Sequence, residues 1–367
     1  MTALGLMSGT SMDGIDLAMI ETDGERVLGR GPYDTVPYAA PFRARLAEAV
    51  RAGSAAPAEL VAELDAAITD LHAAAVLRFL ARWRVDPAAV RVVGFHGHTL
   101  YHAPERHRTR QLGDPGQLAA RLGIDTVGDF RQADVAAGGQ GAPLAPLYHA
   151  ALARELDRPM AVLNLGGVAN VTWIGRGDPE DDGALVAFDT GPANVLIDEL
   201  VARRTGRAYD ENGALAASGR ADAAALAALL DHPYFAAPPP KSLDRYAFSA
   251  DPVAGLGDAD AAATLVAFTA ATVARARDLL PAAPDRWLVT GGGRLNRTLM
   301  GALRAALGVP VEPVEAIGWE GDALEAQAFA FLAVRALLDR PLTLPGTTGA
   351  PRPLTGGSIH RAGVPAP

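Results

Sequence analysis

The sequence contains no cysteine, and this absence excludes several kinds of chemistry at once. Disulfide bonds, thiolate catalysis and cysteine-ligated zinc are all ruled out for the 367 residues of the chain. Lysine is almost as scarce, because Lys241 is the single lysine among 33 basic residues. Lys241 therefore marks either a place that needs a compact ammonium rather than a planar guanidinium, or a chance remainder on the surface.

Long apolar runs and basic clusters are also missing. Although 49% of the residues are hydrophobic, no uninterrupted apolar run approaches the roughly 20 residues that cross a bilayer. The N-terminus lacks a basic region followed by a hydrophobic stretch and a small-residue cleavage site, so we expect a cytoplasmic protein with no membrane partner. A formal net charge of −9 without a basic cluster argues against nucleic acid as a partner.

What the chain does contain begins with a polar turn between two short apolar strands. Residues 4–24 read LGLMSGTSMDGIDLAMIETDG. The turn combines hydroxyls, glycines and a carboxylate, and such a turn holds phosphate. The segment after Gly14 is short and β-compatible, so the turn joins two strands, unlike the Walker loop or the dinucleotide fingerprint, which open a helix. The pattern predicts a phosphate-binding hairpin.

A second hairpin of this kind lies in residues 159–175, which read PMAVLNLGGVANVTWIG. Two apolar strands again flank a polar segment, which here carries Gly166-Gly167. A single copy is as consistent with an ordinary β-hairpin as with a phosphate-binding hairpin. Two copies at a domain-sized spacing favour the actin-like and hexokinase-like kinases, which clamp ATP between two related domains.

Length and pattern predict two α/β domains. At roughly 150 residues per domain, the chain divides into residues 1–145, with the first hairpin, and 146–367, with the second hairpin and an adenosine motif. Residues 320–338 predict a final helix that packs back toward the N-terminal domain. Apolar residues at helical spacing predict another long helix over 57–83, and the glycines and prolines of 133–146 predict a loop without regular structure.

Two further motifs carry candidate functional groups. The predicted strand 90–95 runs into His96-Gly97-His98-Thr99, and these histidines have no third metal ligand at a telling distance, which favours polar lining over a metal site. Asp189 follows the predicted strand 184–188 in the motif FDTGP, where open α/β sheets place their ligand chemistry. An aspartate at this position is also a candidate N-cap for the next helix.

A triple glycine, Gly291-Gly292-Gly293, follows the predicted strand 287–290. It is either a tight connection between a strand and a helix or a backbone surface against which a flat purine or ribose lies. The sequence leaves both interpretations open.

Taken together, these motifs resemble the anhydro-N-acetylmuramic acid kinases, a bacterial sugar-kinase family of the actin and hexokinase superfamily. The resemblance covers nearly the whole chain and rests on GLMSGTSMDGID, FHGHT, DFRQADVAAGGQGAPLAP, NLGGVANVT, FDTGP, TGGGRLN and LEAQAFAFLA. Family members commonly carry glutamine in place of His98 and glycine in place of Ala193. The resemblance implies an α/β fold of two related actin/hexokinase-like (ribonuclease H-like) domains with a nucleotide cleft between them.

The resemblance also implies the reaction. ATP, water and 1,6-anhydro-N-acetylmuramic acid would give N-acetylmuramic acid 6-phosphate and ADP, a step in peptidoglycan recycling that uses Mg²⁺, in a homodimeric enzyme. Asp189 is the expected catalytic base, which readies a water molecule. Asp13 is expected to hold Mg²⁺ through water or to orient the γ-phosphate.

The binding residues that the resemblance implies fall into two sets. The nucleotide set is Gly9, Thr10, Ser11, Met12, Asp13, Gly14, Asp16, Gly166, Gly167, Asn170, Gly291, Gly292, Gly293 and Asn296. The sugar set is His98, Thr99, Asp129, Arg131, Gln140 and Gly141. Arg131 is the candidate for a bidentate grip on the lactyl carboxylate, and pairing with Asp129 or Asp134 is its structural alternative.

Two other functions use similar hairpins. A nonenzymatic actin-like or chaperone-like ATPase would use them to change shape, but no polymerisation or peptide-binding segment can be identified. A hexose kinase that acts on a free 6-hydroxyl is closer, and its base would deprotonate the sugar rather than water. Oxygen-18 from labelled water separates the two kinase reactions.

Overall fold

A computed structural model describes residues 1–9, 11–243 and 247–363. Its strands are β1 (Thr2–Ser8), β2 (Gly14–Thr22), β3 (Val27–Pro37), β4 (Val92–Ala103), β5 (Arg108–Leu112), β6 (Thr126–Gly128), β7 (Met160–Leu165), β8 (Val168–Ile174), β9 (Leu185–Pro192), β10 (Trp287–Thr290), β11 (Val311–Pro313) and β12 (Ser358–His360).

Its α-helices are α1 (Ala40–Ala52), α2 (Ala58–Trp83), α3 (Pro115–Leu122), α4 (Gln132–Ala136), α5 (Pro146–Leu152), α6 (Asn194–Thr205), α7 (Ala214–Ala217), α8 (Ala223–Leu230), α9 (Asp258–Arg277), α10 (Arg297–Leu307), α11 (Leu324–Leu337) and α12 (Pro345–Thr348). None of these helices is long and apolar enough to cross a membrane.

The long helix predicted over 57–83 is confirmed as α2. Pro57 stands at its N-cap, where the missing N–H of proline costs nothing, and the helix ends at Arg84 in the left-handed region. Its apolar face recurs at helical spacing and includes the buried Leu64, Ile68 and Phe79. Burial of that face in the core of the first unit fixes the helix in place.

The chain divides into two compact units, Leu156–Asp322 and the remainder, which comprises Met1–Glu155 and the residues from Ala323 onward. This division lies ten residues beyond the predicted boundary at 145/146. It also assigns the last part of the chain to the same unit as the N-terminus, because α11 packs against β1, β2 and β4. The assignment of functional domains to 1–145 and 146–367 stays a prediction.

Close packing of α11 on the first sheet depends on two glycines. A side chain at Gly5 of β1 would overlap the carbonyl oxygen of Ala326, and one at Gly94 of β4 would overlap that of Phe329. Helix α11 is apolar on nearly every face and is buried along most of its length, as expected for a helix inside a core. Glycine in both strands therefore allows the backbones to approach each other.

Each unit contains one sheet, and the two sheets repeat one strand order. In the first unit, β3, β2 and β1 are antiparallel, followed by β4 and β6 as parallel neighbours, with β12 on the outer side of β6 and β5 paired to β4. In the second unit, β9, β8 and β7 are antiparallel, followed by the parallel β10 and β11. The predicted class, α/β with two related domains, is confirmed by this shared topology.

Three local predictions need correction. The predicted loop 133–146 contains most of α4, because the residues before Gly138 include no glycine or proline, and Pro146 begins α5. Strand β4 continues past residue 95, since its later residues pair with β5, so His96 and His98 lie inside a strand. Strand β9 likewise continues through Asp189, which pairs with β8.

Candidate active site

The first hairpin ends in an exposed polar loop. Strands β1 and β2 pair as far as Met7 and Asp16, and the backbone N–H of Met12 donates to the carbonyl of Gly9 at 3.0 Å across the turn. The Ser11 hydroxyl donates to Asp13 Oδ1 at 2.8 Å. Thr10, predicted to bind the nucleotide, lies outside the described residues. The loop thus presents a carboxylate and a hydroxyl to solvent.

The glycines of the hairpin turns differ in what requires them. A Cβ at Gly14 would lie 2.5 Å from the carbonyl oxygen of Val36 in β3, so Gly14 is required by packing. At Gly9 and Gly166 the φ angle is not positive, and a Cβ there would meet no described atom closer than 3.5 Å. Neither strain nor described neighbours therefore require glycine at these two positions, and their predicted contact with the nucleotide stays a prediction.

A buried hydrogen-bonded group lies at the base of the first hairpin. The Tyr38 hydroxyl donates to Ser8 Oγ at 2.9 Å, and Ser8 Oγ lies 2.8 Å from His98 Nδ1. Burial lowers the pKa of His98 to about 4, so its imidazole is neutral near pH 7. His98, predicted to contact the sugar, is therefore fixed to the strand that carries the polar loop.

Asp16, from the predicted nucleotide set, lies in β2 beyond this loop. Its carboxylate accepts a hydrogen bond from the Thr35 hydroxyl of β3 at 2.6 Å. The contact ties the residue to its neighbouring strand, and its predicted role toward the nucleotide stays a prediction.

The second hairpin ends in a two-residue turn, Gly166-Gly167, that is bonded to the start of α6. The Gly166 carbonyl accepts from the Asn194 N–H at 3.0 Å, and the Gly167 carbonyl accepts from the Ala193 N–H at 2.9 Å. The Asn194 side chain also donates to the Leu165 carbonyl at 2.8 Å. The carbonyls of the turn thus accept hydrogen bonds from N–H groups at the start of α6, a helix whose N-cap residue makes no side-chain hydrogen bond.

Asp189 lies beside the second hairpin, because β9 pairs it with Asn170 of β8. Only 9% of the residue is exposed. Its Oδ2 accepts a hydrogen bond from the backbone N–H of Leu243 at 2.7 Å. The interpretation of Asp189 as the N-cap of the next helix is wrong, since the N-cap of α6 is Ala193.

Lys241 packs against the same strand. Its Nζ donates to the Tyr234 carbonyl at 2.8 Å and lies 4.6 Å from the centroid of the Tyr234 ring. Only 9% of the residue is exposed, and burial lowers the pKa of its ammonium to about 8. The interpretation of Lys241 as a chance remainder on the surface is therefore wrong.

The triple glycine packs against the second hairpin. A side chain at Gly291, which has a φ of 75°, would overlap the Asn164 side chain, and a Cβ at Gly293 would lie 2.6 Å from that of Leu165. Gly292 is exposed, with Asn194 Nδ2 at 3.9 Å from its hypothetical Cβ. Two of the three glycines are thus explained by tight packing, and a purine contact stays a prediction.

Asn296, the last residue of the predicted nucleotide set, caps helix α10. Its Oδ1 accepts the backbone N–H of Leu299 at 2.9 Å, and only 8% of the residue is exposed. This contact gives Asn296 a structural role whether or not it also meets the nucleotide.

Arg131 and Gly141, both predicted to contact the sugar, lie together in the structure. Arg131 donates from Nη1 to the Gly141 carbonyl at 2.6 Å and from Nε to His96 Nε2 at 3.1 Å. Burial, and then the charge of Arg131, hold the pKa of His96 well below its usual range. A neutral His96 accepts from Arg131 and donates from Nδ1 to the Gly97 carbonyl, so it orients the guanidinium.

The rest of the sugar set is more dispersed. Gln140 lies next to Gly141, with its N–H bonded to the Thr348 carbonyl at 2.6 Å. Thr99 accepts from Gln111 Nε2 at 3.3 Å, and Asp129 stands in the left-handed region with a φ of 53°. The described hydrogen bonds thus bring Arg131, at the N-cap of α4, to Gly141 next to Gln140, and place His98 with Ser8.

Sequence reasoning did not find the residue that holds this loop. Asp134 is 2% exposed, and its carboxylate accepts from the Gly141 N–H and from the Thr348 hydroxyl, both at 2.6 Å. The sequence indicates Asp134 only as an alternative ion-pair partner for Arg131. Its contact with Thr348 spans more than two hundred residues, and no local pattern predicts such a contact.

Asp13 fits the ligand preference of Mg²⁺. Magnesium in kinases is commonly held by one or two carboxylates together with substrate phosphates and water, rather than by a cage of protein ligands. The described part of the chain has no cluster of three or more histidine or acidic residues that would form such a cage. An exposed carboxylate in a turn of phosphate-binding type is consistent with the first arrangement.

Comparison with known proteins gives the same family along the whole chain. The family described as anhydro-N-acetylmuramic acid kinase matches residues 1–362. The chain is 60% identical over 360 residues to the anhydro-N-acetylmuramic acid kinase of Rhodospirillum rubrum, covering 98% of this chain and 94% of that one. It is 55% identical over 371 residues to that of Acidiphilium cryptum, covering 100% of both. Among solved structures, it is similar to the xylulose kinase of Lactobacillus acidophilus, with a TM-score of 0.45 and 9% identity, covering 98% of this chain and 94% of that one.

Proposed function

The chain belongs to the anhydro-N-acetylmuramic acid kinase family, and we propose that Asp189 is the base of its reaction. The protein is an ATP-dependent kinase that acts on 1,6-anhydro-N-acetylmuramic acid in cell-wall recycling. A base is needed because a water molecule must be delivered to the anomeric carbon while the anhydro bridge opens.

The observation that carries this assignment is the setting of the Asp189 carboxylate. One of its oxygens is fixed by the Leu243 N–H, and the residue is largely withdrawn from solvent beside a glycine-turned hairpin. A base is effective when its lone pair is held at a fixed position relative to the atom it deprotonates. The backbone bond to one oxygen supplies that restraint.

The proposed step balances in atoms and protons. Asp189 takes a proton from water, the water oxygen bonds to the anomeric carbon, and the bond from that carbon to the 6-oxygen breaks. The 6-oxygen bonds to the γ-phosphorus while the bond from that phosphorus to the bridging oxygen of ADP breaks. The products are N-acetylmuramic acid 6-phosphate and ADP, and the proton on Asp189 passes to solvent.

We propose that backbone N–H groups at Gly9 and at the Gly166-Gly167 turn donate to the phosphates of ATP. Support comes from the glycines themselves, because Gly9 and Gly166 have room for a Cβ among the described residues and yet carry none. A phosphate in contact with the backbone would occupy that space. Thr10, which is outside the described residues, belongs to the same proposal.

We propose that Asp13 holds Mg²⁺ through water, with Ser11 orienting the carboxylate. When bound, the ion offsets the negative charge of the transferring phosphoryl group. The protein's own contribution is the position of the carboxylate, which the Ser11 hydroxyl restrains in an otherwise exposed loop.

We propose that Arg131 recognises the lactyl carboxylate of the sugar. Its guanidinium is oriented by a neutral imidazole and a backbone carbonyl next to the glycine-rich loop of residues 138–141. A planar guanidinium held in this way can present paired N–H groups to a carboxylate.

We also propose that the enzyme is cytoplasmic and homodimeric. Light scattering during gel filtration tests the homodimer.

The experiment that tests the reaction compares two sugars in one ATP-dependent assay. ADP formation should be rapid with the anhydrosugar and slow with free N-acetylmuramic acid. A kinase for a free 6-hydroxyl would give the opposite preference, because it has no need of water and no bridge to open. Equal or greater activity on the free sugar would overturn the hydrolytic mechanism.

A further inference from the structure

Residues 234–243 form a segment, here called the strap, that runs along β9 at Asp189. We infer that the strap positions the Asp189 carboxylate for catalysis, with Tyr234 and Lys241 as positioning residues. The inference rests on the proposed role of Asp189 as base. It assigns a role to the single lysine of the chain.

The strap is hydrogen-bonded to both the backbone N–H and the backbone carbonyl of Asp189. The Asp189 N–H donates to the Lys241 carbonyl at 3.0 Å, and the Asp189 carbonyl accepts from the Tyr234 hydroxyl at 2.7 Å. Strand β9 is the last strand of its sheet, so its outer edge would otherwise expose unpaired backbone groups. The strap covers this edge at the residue proposed as the base.

The strap also reaches the carboxylate itself. The Leu243 N–H donates to Asp189 Oδ2 at 2.7 Å, two residues after Lys241. A bond to one oxygen restricts rotation about the last side-chain torsion and so fixes the direction of the other oxygen. The orientation of the base therefore depends on where the strap holds residue 243.

Lys241 ties the two ends of the strap together. Its ammonium donates to the Tyr234 carbonyl at 2.8 Å and lies over the rings of Tyr234 and Phe188, at 4.6 and 5.7 Å from their centroids. A compact ammonium fits between a carbonyl and two ring faces, whereas a guanidinium is larger and planar. The structure thus gives a reason for lysine in a chain that otherwise uses arginine.

The start of the strap is anchored in the core of the second unit. Phe235 is 6% exposed and packs edge-on against Phe268 of α9, with 5.8 Å between ring centroids. Phe248, beyond the strap, contacts both rings. An aromatic anchor next to Tyr234 makes the strap a fixed support rather than a loose loop.

Tyr234→Phe and Lys241→Met test the inference with small changes. Tyr234→Phe removes only the hydroxyl that bonds the Asp189 carbonyl, and Lys241→Met keeps the apolar stem but removes the ammonium. We expect kcat to fall about 10- to 100-fold in each, because small displacements of a catalytic group cost factors of this order. The KM for ATP should stay within about twofold, since the nucleotide contacts are unchanged.

Matched controls separate these losses from general damage. Tyr209→Phe makes the same change as Tyr234→Phe, and Arg203→Met likewise replaces a positively charged side chain by methionine, both at exposed positions of the same unit. Both should retain the wild-type kcat and KM. Lys241→Arg should lose activity as Lys241→Met does. Arginine retains the positive charge, but its planar group does not fit the site of the ammonium.

A double-mutant cycle tests whether Tyr234 acts through Asp189. In the Asp189→Asn background, adding Tyr234→Phe should change the residual kcat by less than about twofold, because there is no carboxylate left to position. The same fractional loss in both backgrounds would overturn the strap inference. So would a wild-type kcat for Tyr234→Phe, which decides the matter even if Lys241→Met does not fold. A near-normal kcat for Asp189→Asn alone would instead reject the proposed base.

Discussion

The two hairpins occupy the same place in two sheets of one topology, yet their turns differ. The first turn is a polar loop in which Ser11 and Asp13 are exposed and bonded to each other. The second is a pair of glycines whose carbonyls are held by the N–H groups that open α6. The first hairpin therefore offers side-chain chemistry, and the second offers a fixed backbone beside Asp189.

This difference predicts that substitutions in the turns and substitutions at Asp189 have different kinetic effects. Changes in either turn should alter phosphate binding, and a change at Asp13 should also alter metal use, while the proposed base stays in place. Changes at Asp189 itself should alter the chemical step.

Asp189→Asn should lower kcat by about 10²- to 10⁴-fold, the usual contribution of a general base. The amide keeps the size of the side chain, so ATP should still bind with near-wild-type affinity. Steady-state ADP release gives the first quantity and calorimetric titration gives the second. A variant that turns over at a near-normal rate would remove Asp189 from the mechanism.

Asp13→Asn should raise the Mg²⁺ concentration needed for half-maximal activity by about 10- to 100-fold, as for groups that hold a metal through water. Activity should recover in part at saturating Mg²⁺. A Mg²⁺ titration of both enzymes measures the shift. If the two curves coincide, the first hairpin does not contribute a metal-binding carboxylate.

Gly9→Ala and Gly166→Ala should raise the KM for ATP about tenfold, which corresponds to roughly 1.4 kcal/mol of lost binding. Neither should destabilise the protein much, since a Cβ at either site has room. Gly301→Ala, in α10 with no described atom near its Cβ, is the matched control and should leave the KM unchanged. An unchanged KM in the two hairpin variants would show that phosphate does not approach these backbones.

His98→Gln should reduce the acid sensitivity of folding. The imidazole titrates near 6.5 when unfolded and at about 4 when folded, so the unfolded state binds more protons between these values. Stability is therefore lost as pH falls from about 6.5 to about 4, and His98 accounts for about 1 to 3 kcal/mol of that loss. Urea unfolding at pH 7 and pH 5 should show a smaller difference in the variant than in the wild type.

The predictable parts of this fold were those with a local pattern. The hairpins and α2 follow from apolar periodicity and glycine turns. The ends of β4 and β9 were missed because strand pairing, which is not local, carries each strand past its apolar run.

The supports of the candidate site could not be predicted for the same reason. Tyr234 and Leu243 reach Asp189 from about fifty residues away, and Asp134 is bonded to Thr348 across most of the chain. Lys241 was the exception, because its rarity singled it out before its contacts were known. Composition can thus identify a residue whose partners only the fold defines.

The most direct test of the account follows oxygen from labelled water into the product. In rapidly quenched turnovers, mass spectrometry should find one oxygen-18 on the anomeric carbon and none in the phosphoryl group. Unlabelled product held in the same water for the same time corrects for spontaneous exchange. Label in the phosphoryl group, or none in the sugar beyond exchange, would contradict a base that readies water for the anomeric carbon.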